Sequence, residues 1–200
     1  VLTGSPIRKE LMSGNRLAGL NMCGFSANKP VLMVIGGSLG AAAVNEAVRG
    51  SLNELLKKYQ IVHLCGKGKI DDSINDIAGY KQYEYIKDEL KDLFAMSDVI
   101  ISRAGANAIC EIQALKKPSI LIPLSARASR GDQILNANSF KRQGFSEIIQ
   151  EEDLTAELLI TTVDKVYENR NKYISAIEAS PCVNAIDIII GLIKDIVSKK

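Results

Sequence analysis

The fold is decided by the stretch Val31-Leu-Met-Val-Ile-Gly-Gly-Ser-Leu-Gly-Ala41. Its first five residues form a short continuous apolar run, which is typical of a parallel strand buried on both faces. The glycines end this strand, and residues 41–59 follow with Ala, Val and Leu at helical spacing. Glycines in such a turn let a ligand approach the backbone, and the helix start offers free N–H groups and a positive dipole end. The stretch indicates either a phosphate cradle built on Gly37 and Ser38 or a plain turn that needs glycine for packing.

The alternation of strand and helix continues along the chain. Further strands are predicted over residues 61–65, 83–86, 99–102, 119–123 and 147–149. Further helices are predicted over residues 89–96, 106–115, 132–143, 154–173 and 185–198, and residues 71–78 form a short helix or a loop. This order predicts an α/β fold with a parallel sheet flanked by helices on both faces, whose ligands bind at the carboxyl ends of the strands. Four loops should share that edge, namely those after Ile35, Ile86, Ser102 and Pro123.

The composition argues against several classes of protein. The chain has 200 residues, enough for one domain with a core, and its 46% hydrophobic and 24% charged residues are the mix of a soluble globular protein. Its net charge of +2, with Lys and Arg not gathered into one stripe, argues against nucleic acid as a partner. No apolar run reaches the roughly 20 residues that a membrane crossing needs. The chain begins without an initiator Met, and we interpret residues 1–200 as one excised domain.

The cysteines argue against a structural zinc site. Cys23, Cys65, Cys110 and Cys182 include no C-x-x-C pair, and no histidine lies at ligand spacing from two of them. Cys65 and Cys110 lie in apolar stretches and are predicted to be buried as small hydrophobic side chains. The pattern suits a reducing cytoplasm, and neither a metal nor another cofactor is expected.

A second glycine turn combines small residues with an acidic one. Gly105 and its neighbours Ala106, Asn107 and Ala108 open a helix after the fourth strand, and Glu111 lies about two turns into it. A carboxylate near a phosphate site is the usual acceptor for the two hydroxyls of a ribose. The alternative is a solvated or salt-bridged helical Glu, which is the commoner fate of a glutamate seen in isolation.

The start of the next helix carries Asp132 and Gln133 side by side. Together they offer the mixed donors and acceptors that sugar hydroxyls need, although Asp132 can equally cap the helix. The tripeptide Arg130-Gly-Asp132 matches an integrin-adhesion motif, but three-residue matches arise by chance and the context is intracellular.

Arg8 and His63 are two further candidates. Arg8 lies in Thr3-Gly-Ser-Pro-Ile-Arg8 and can pair with a diphosphate through its planar fork, or remain a surface residue of a linker. His63 is the single histidine and lies inside the second strand, where a core or edge-strand role is favoured over that of a catalytic base.

Five segments, in this order and spacing, resemble the MurG family of glycosyltransferases. They are Thr3-Gly-Ser-Pro-Ile-Arg8, Gly36-Gly-Ser-Leu-Gly-Ala41, Tyr85-Ile86, Ser102-Arg-Ala-Gly-Ala106 with Glu111, and Asp132-Gln-Ile-Leu-Asn-Ala137. Enzymes of this family transfer N-acetylglucosamine from UDP to the muramyl-pentapeptide lipid carrier of peptidoglycan. The resemblance implies a Rossmann-like domain that forms the C-terminal, donor-binding half of a GT-B glycosyltransferase.

The resemblance also implies a role for each candidate residue in binding UDP-N-acetylglucosamine. The loop with Gly37 and Ser38 would hold the diphosphate, and Arg8 would lie near the donor at the domain hinge. The backbone of Ile86 would hold the uracil edge, and Glu111 would accept the ribose hydroxyls. Two groups complete the implied site: Gly105, Ala106, Asn107 and Ala108 near the phosphates, and Asp132 and Gln133 at the sugar ring.

The resemblance places the remaining functions outside this chain. An N-terminal domain of the same enzyme would bind the lipid-linked acceptor, meet the cytoplasmic face of the bacterial plasma membrane and carry the catalytic base. This chain would then hold no catalytic residue and would be soluble and inactive alone. Two alternatives remain open: another GT-B UDP-sugar enzyme, such as a glycolipid glycosyltransferase or an epimerase, and a non-catalytic donor-binding subunit of a split glycosyltransferase.

Overall fold

A computed structural model describes residues 5–37, 41–127, 130–180 and 185–197. The described strands are β1 Val31–Ile35, β2 Gln60–Leu64, β3 Tyr80–Tyr83, β4 Val99–Ser102, β5 Ser119–Leu121 and β6 Ser146–Ile148. The described α-helices are α1 Arg16–Cys23, α2 Ala42–Lys58, α3 Leu90–Met96, α4 Ala106–Ala114, α5 Asp132–Arg142, α6 Ala156–Glu168, α7 Arg170–Ala179 and α8 Ala185–Val197. The predicted α/β fold class is confirmed.

The six described strands form one parallel sheet in the order β3-β2-β1-β4-β5-β6. The chain runs outward from β1 to β3 on one side and then returns to β4 on the other side. The strand order therefore reverses between β1 and β4. In doubly wound sheets the crevice outside the carboxyl ends of the strands at this reversal is where ligands bind.

Both faces of the sheet are covered, which explains why β1 is apolar at every position. Successive side chains of a strand point to opposite faces. Leu32 and Val34 pack on one face against α2 and α6, whereas Val31 and Met33 pack on the other face against α1 and α3. A third cluster joins α4, α5 and α7 beside β5. The predicted continuous apolar run thus reflects burial on two sides.

Two predicted elements differ from the structure, whereas the region over residues 71–78 agrees with its prediction. The third strand was predicted over residues 83–86 but lies at Tyr80–Tyr83, because its register with β2 pairs Tyr80 with Ile61. The helix predicted over residues 154–173 is divided into α6 and α7 at Asn169. The region predicted as a short helix or a loop, residues 71–78, contains a single 3₁₀ turn over Asp72–Ile74.

Helix α1 was not predicted at all. The Asn15 side chain accepts a hydrogen bond from the Ala18 N–H group and begins the helix. The helix then packs closely on α3, because a Cβ atom at Gly19 would lie only 2.4 Å from the Asp92 carbonyl oxygen. Glycine is required by this close approach, and the sequence pattern alone gave no sign of the partner helix.

Of the two cysteines that were predicted to be buried, Cys65 is buried and Cys110 is only half-buried. Cys182 lies outside the described residues. Within the described ranges, none of the helices combines the length and the apolar composition that a membrane crossing requires.

Candidate functional site

The loops that were predicted to share one edge of the sheet do so, because all the described strands are parallel. Ile86 differs from its prediction in one respect, because it does not end a strand. It lies three residues beyond the end of β3 and is buried.

The loop after β2 also lies on this edge and was not singled out from the sequence. Its glycines, Gly66 and Gly68, have φ angles of 95° and 67°. Their spacing in Gly66-Lys-Gly68 is the signal that could have identified this loop.

The turn between β1 and α2 is closed by backbone packing. A Cβ atom at Gly36 would lie 2.9 Å from the backbone nitrogen of Ala41, so this glycine is required for the turn. Gly37 has a φ angle of 87°, in the region that favours glycine. The turn therefore needs glycine for packing, as one of the two alternatives predicted. This requirement does not prevent the turn from also binding a ligand. Ser38 lies outside the described residues.

Three of the helices that begin at this edge lack a capping side chain. Within the described part of the chain, no side-chain hydrogen bond caps α2, α4 or α5. By contrast, Asn15 caps α1 and Thr155 caps α6. The first N–H groups of a helix have no partner inside the helix, so an uncapped helix start is suited to an anion.

The start of α4 is open. Gly105 is its N-cap residue, with a φ angle of −67°, and a Cβ atom at this position would meet nothing within 4 Å. Ala106 and Asn107 are exposed, and Ala108 is half-buried. The small residues of this turn therefore leave space in front of the helix start rather than satisfying a backbone constraint.

Arg8 and Glu111, which are 103 residues apart in the sequence, lie in direct contact. The Arg8 Nε atom donates to Glu111 Oε1 at 2.9 Å, and the side chains are 49% and 16% exposed respectively. This hydrogen bond raises the pKa of Arg8 above its usual value. Glu111 is thus salt-bridged, which is one of the two alternatives that the sequence left open. Its partner, Arg8, is itself a candidate residue of the same site.

A cleft of about 520 Å³ lies beside this pair. It is lined by Arg8, Glu10, Leu11, Lys87, Asp88 and Lys91. Lys87 and Asp88 directly follow Ile86, so the cleft connects the N-terminal segment to the loop after β3. Tyr85, which directly precedes Ile86 in this loop, is exposed.

The start of α5 carries the two residues that were predicted to contact a sugar. Gly131 is the N-cap residue with a φ angle of 82°, so Asp132 occupies the first helical position and does not cap the helix. Asp132 is exposed. Gln133 Oε1 accepts a hydrogen bond of 3.1 Å from the Leu124 N–H group in the loop after β5. Among the described residues, no hydrogen bond or ion pair joins Asp132 or Gln133 to Arg8 or Glu111.

Arg103 organises the loop after β5, a role that the sequence analysis missed. Its guanidinium donates to the Ile122 and Pro123 carbonyl oxygens and pairs with Glu151. Glu151 also accepts a hydrogen bond from the Ser125 N–H group. An arginine directly after a buried strand needs acceptors for its five donors, but the sequence does not indicate which residues supply them.

His63 is a core residue, as predicted. It is fully buried in β2 between β1 and β3, and burial lowers its pKa to about 3. A neutral, enclosed imidazole cannot act as a base on a bound ligand. Within the described ranges, no three His, Cys, Asp or Glu side chains cluster closely enough to hold a metal ion.

The strand reversal and the uncapped helix starts beside it define a doubly wound α/β domain with a candidate site for an anionic ligand. Residues 31–189 match the model of the glycosyltransferase family 28 C-terminal domain, and the chain belongs to this family.

The chain is similar to two bacterial proteins named UDP-N-acetylglucosamine–N-acetylmuramyl-(pentapeptide) pyrophosphoryl-undecaprenol N-acetylglucosamine transferase. The protein from Lachnospira eligens is 60% identical over 195 residues, and the alignment covers 98% of this chain and 55% of that protein. The protein from Lachnoclostridium phytofermentans is 61% identical over 196 residues, with the same two coverages of 98% and 55%. The chain therefore spans about half the length of these relatives.

The fold is also similar to that of a solved structure. The crystal structure of Acinetobacter baumannii MurG matches with a TM-score of 0.73 and 26% sequence identity. The match covers 94% of this chain and 55% of that chain. The fold of this chain therefore corresponds to about half of that structure.

Proposed function

We propose that this chain binds UDP-N-acetylglucosamine as the donor domain of an inverting glycosyltransferase. The complete enzyme would add N-acetylglucosamine to lipid I, forming lipid II in peptidoglycan synthesis. The family match and the names of the similar proteins support this proposal. The observation that carries it is the contact between Arg8 and Glu111 on the open side of the strand reversal, where α4 begins without a capping side chain.

The proposed site assigns the nucleotide to the centre of the sheet edge. The diphosphate would lie against the starts of α2 and α4, near Gly37 and Ser38 and the turn over residues 105–108. Helix starts attract negative charge through their free N–H groups and the helix dipole. Arg8, which lies beside Glu111, would add a positive charge near the same group.

The ribose would be held by Glu111. A carboxylate has two oxygens and about four lone-pair sites. Arg8 occupies Oε1, so the group retains the capacity to accept hydrogen bonds from a ribose diol. In this arrangement Arg8 orients the carboxylate as well as contributing charge.

The base and the sugar would lie on either side of the ribose and the diphosphate. The backbone of Ile86 would contact the uracil edge beside the cleft that contains Lys87. Asp132 and Gln133 would contact the N-acetylglucosamine ring. The hydrogen bond from the Leu124 N–H group orients the Gln133 amide, and Arg103 holds the same loop from its other side.

The chemistry of the complete enzyme follows from charge stabilisation at the donor. An acceptor hydroxyl would attack the anomeric carbon while UDP leaves, and negative charge would build on the diphosphate. Fixed helix starts aimed at this group stabilise the charge without reorganising. The base and the lipid-linked acceptor would belong to an N-terminal domain, which would also carry the enzyme to the cytoplasmic face of the membrane.

Isothermal titration calorimetry of the purified chain with UDP, UDP-N-acetylglucosamine and UDP-glucose tests the proposal. We expect all three to bind, with UDP-N-acetylglucosamine preferred over UDP-glucose. A reversed preference would favour another GT-B UDP-sugar enzyme. Absence of heat with millimolar UDP would contradict donor binding altogether.

A further inference from the structure

We infer that His63 is a positioning residue, which acts through Asn45 to hold the first turn of α2 against the ends of β1 and β2. The inference rests on the proposed function, because α2 begins at the proposed diphosphate site. It adds to that function a buried residue that contacts no part of the donor.

His63 is hydrogen-bonded through both ring nitrogens. Its Nε2 atom lies 2.9 Å from Asn45 Oδ1, and its Nδ1 atom lies 2.8 Å from the Tyr80 hydroxyl oxygen. Asn45 Nδ2 in turn donates to the Cys65 carbonyl oxygen at 2.9 Å. These contacts, which we call the histidine chain, link β3, β2 and α2 to the loop after β2.

The direction of each hydrogen bond in the histidine chain is determined by the chemistry of its groups. The Cys65 carbonyl can only accept, so Asn45 must direct its amide nitrogen there and its amide oxygen towards His63. That oxygen can only accept, so the proton of neutral His63 lies on Nε2. Nδ1 then accepts from the Tyr80 hydroxyl.

Burial keeps this arrangement in one protonation state. His63 and Asn45 are 0% and 3% exposed, and burial together with the positive charge of Arg49 strongly lowers the pKa of His63. The imidazole is therefore neutral at physiological pH.

Asn45 connects the histidine chain to the proposed donor site. It lies in the first turn of α2, and its N–H group donates to the Ala41 carbonyl oxygen at 2.8 Å. Ala41 packs directly against Gly36 at the end of β1. The histidine chain thus sets the position of the helix start relative to two strand ends. Displacements of about 1 Å in such positioning elements are costly for binding and catalysis.

The test compares His63→Leu with His63→Gln by measuring the dissociation constants of UDP and of uridine. Leucine removes the donor to Asn45, whereas the glutamine amide supplies an N–H group close to the position of Nε2. For His63→Leu we expect about a tenfold weaker affinity for UDP and an unchanged affinity for uridine, which lacks the diphosphate. His63→Gln should remain within about threefold of the wild type for both ligands.

Tyr80→Phe provides a second variant that removes only the hydroxyl group next to His63. We expect the same selective loss for UDP with a smaller factor, about threefold. Equal losses for UDP and uridine, or unchanged affinities in folded variants, would overturn the inference while leaving donor binding intact. A wild-type chain that binds neither ligand would instead overturn the proposed function, and this inference with it.

Discussion

Two polar clusters flank the proposed site, and they differ in burial. The histidine chain of Asn45, His63 and Tyr80 is enclosed in the protein core, whereas the Arg8–Glu111 pair is open to solvent on its arginine side. Both connect segments that are distant in the sequence. The first consists of neutral groups that are each hydrogen-bonded to a neighbour, and the second is a single ion pair whose arginine is accessible to water.

This difference separates the scaffold of the site from its binding groups. A buried polar group that loses its partner costs the full desolvation penalty, so the histidine chain resists change. An exposed ion pair contributes little to stability because water screens it. Glu111 can therefore exchange or share partners at low cost, which suits a ligand-binding residue, whereas Asn45 cannot.

The largest effect is expected on stability when the histidine chain is broken. His63→Leu should lower the free energy of unfolding by about 3 kcal/mol, because it leaves the Asn45 oxygen and the Tyr80 hydroxyl buried without partners. Urea denaturation followed by circular dichroism measures this change. Tyr80→Phe is the milder comparison, with an expected loss of about 1 kcal/mol. Ordinary surface substitutions change the free energy of unfolding by less than about 0.5 kcal/mol. A loss this small for His63→Leu would show that the histidine chain stabilises the fold no more than an exposed pair does.

Glu111→Ala is expected to act on binding rather than on the scaffold. Loss of the ribose hydrogen bonds should weaken UDP affinity by roughly 1–3 kcal/mol, measured by calorimetry. Glu178→Ala is the matched control, since Glu178 forms an exposed ion pair with Lys116 away from this edge. Equal UDP affinity in wild type and Glu111→Ala would show that Glu111 serves only as the partner of Arg8.

The pH dependence of the free energy of unfolding should reveal the lowered pKa of His63. Its pKa is lowered to about 3 in the folded chain, against about 6.5 when unfolded. The unfolded state thus takes up the proton first, so the stabilisation is complete above pH 6.5 and is lost as the pH falls towards 3. Between pH 7.5 and 5 the wild type should lose about 2 kcal/mol, and His63→Gln should lose correspondingly less.

The range above pH 5 keeps other groups out of this measurement. Glu147 and Asp164 also have lowered pKa values, because Lys165 and Lys58 respectively donate hydrogen bonds to them. Their contributions are present above the ordinary carboxylate range and are lost only as the pH falls below it. Parallel stability profiles of wild type and His63→Gln down to pH 5 would contradict the buried neutral state of His63.

The smallest effect is expected when the exposed pair is broken. Arg8→Ala should lower the free energy of unfolding by about 0.2–1 kcal/mol, and 1 M NaCl should reduce the difference. Thermal unfolding at low and high salt measures both quantities. A loss as large as that for His63→Leu would show that the Arg8–Glu111 pair belongs to the scaffold.

The central strands could be predicted from sequence because their environment is uniform. The bounds of β1 and β4 agree with their apolar runs, since a strand that is buried on both faces is apolar at every position. The edge strand β3 was misplaced by three residues, because its polar residues are buried through partners elsewhere in the chain. Gln82, for example, is buried because it bonds Arg49 and Asn75.

Some features of the candidate site could also be predicted from local sequence, whereas others depend on contacts between distant residues. Glycine turns between apolar strands and helices are local signals, and they indicated the edge at which Gly37, Gly105 and Gly131 lie. The loop roles of Arg103 and Glu151 depend on a contact across 48 residues, and no local pattern specifies such a pair. The sites of sequence-distant contact are therefore those that sequence reasoning missed.

The alternation of strands and helices from β1 onward, the parallel sheet and the edge on which a ligand site would lie could all be derived from the sequence, because backbone periodicity and glycine turns are properties of adjacent residues. The contacts of Arg8 with Glu111 and of His63 with Asn45 could be found only in the folded chain. Both contacts depend on the sheet order β3-β2-β1-β4-β5-β6, which brings together residues whose separation in the chain carries no signal of their proximity.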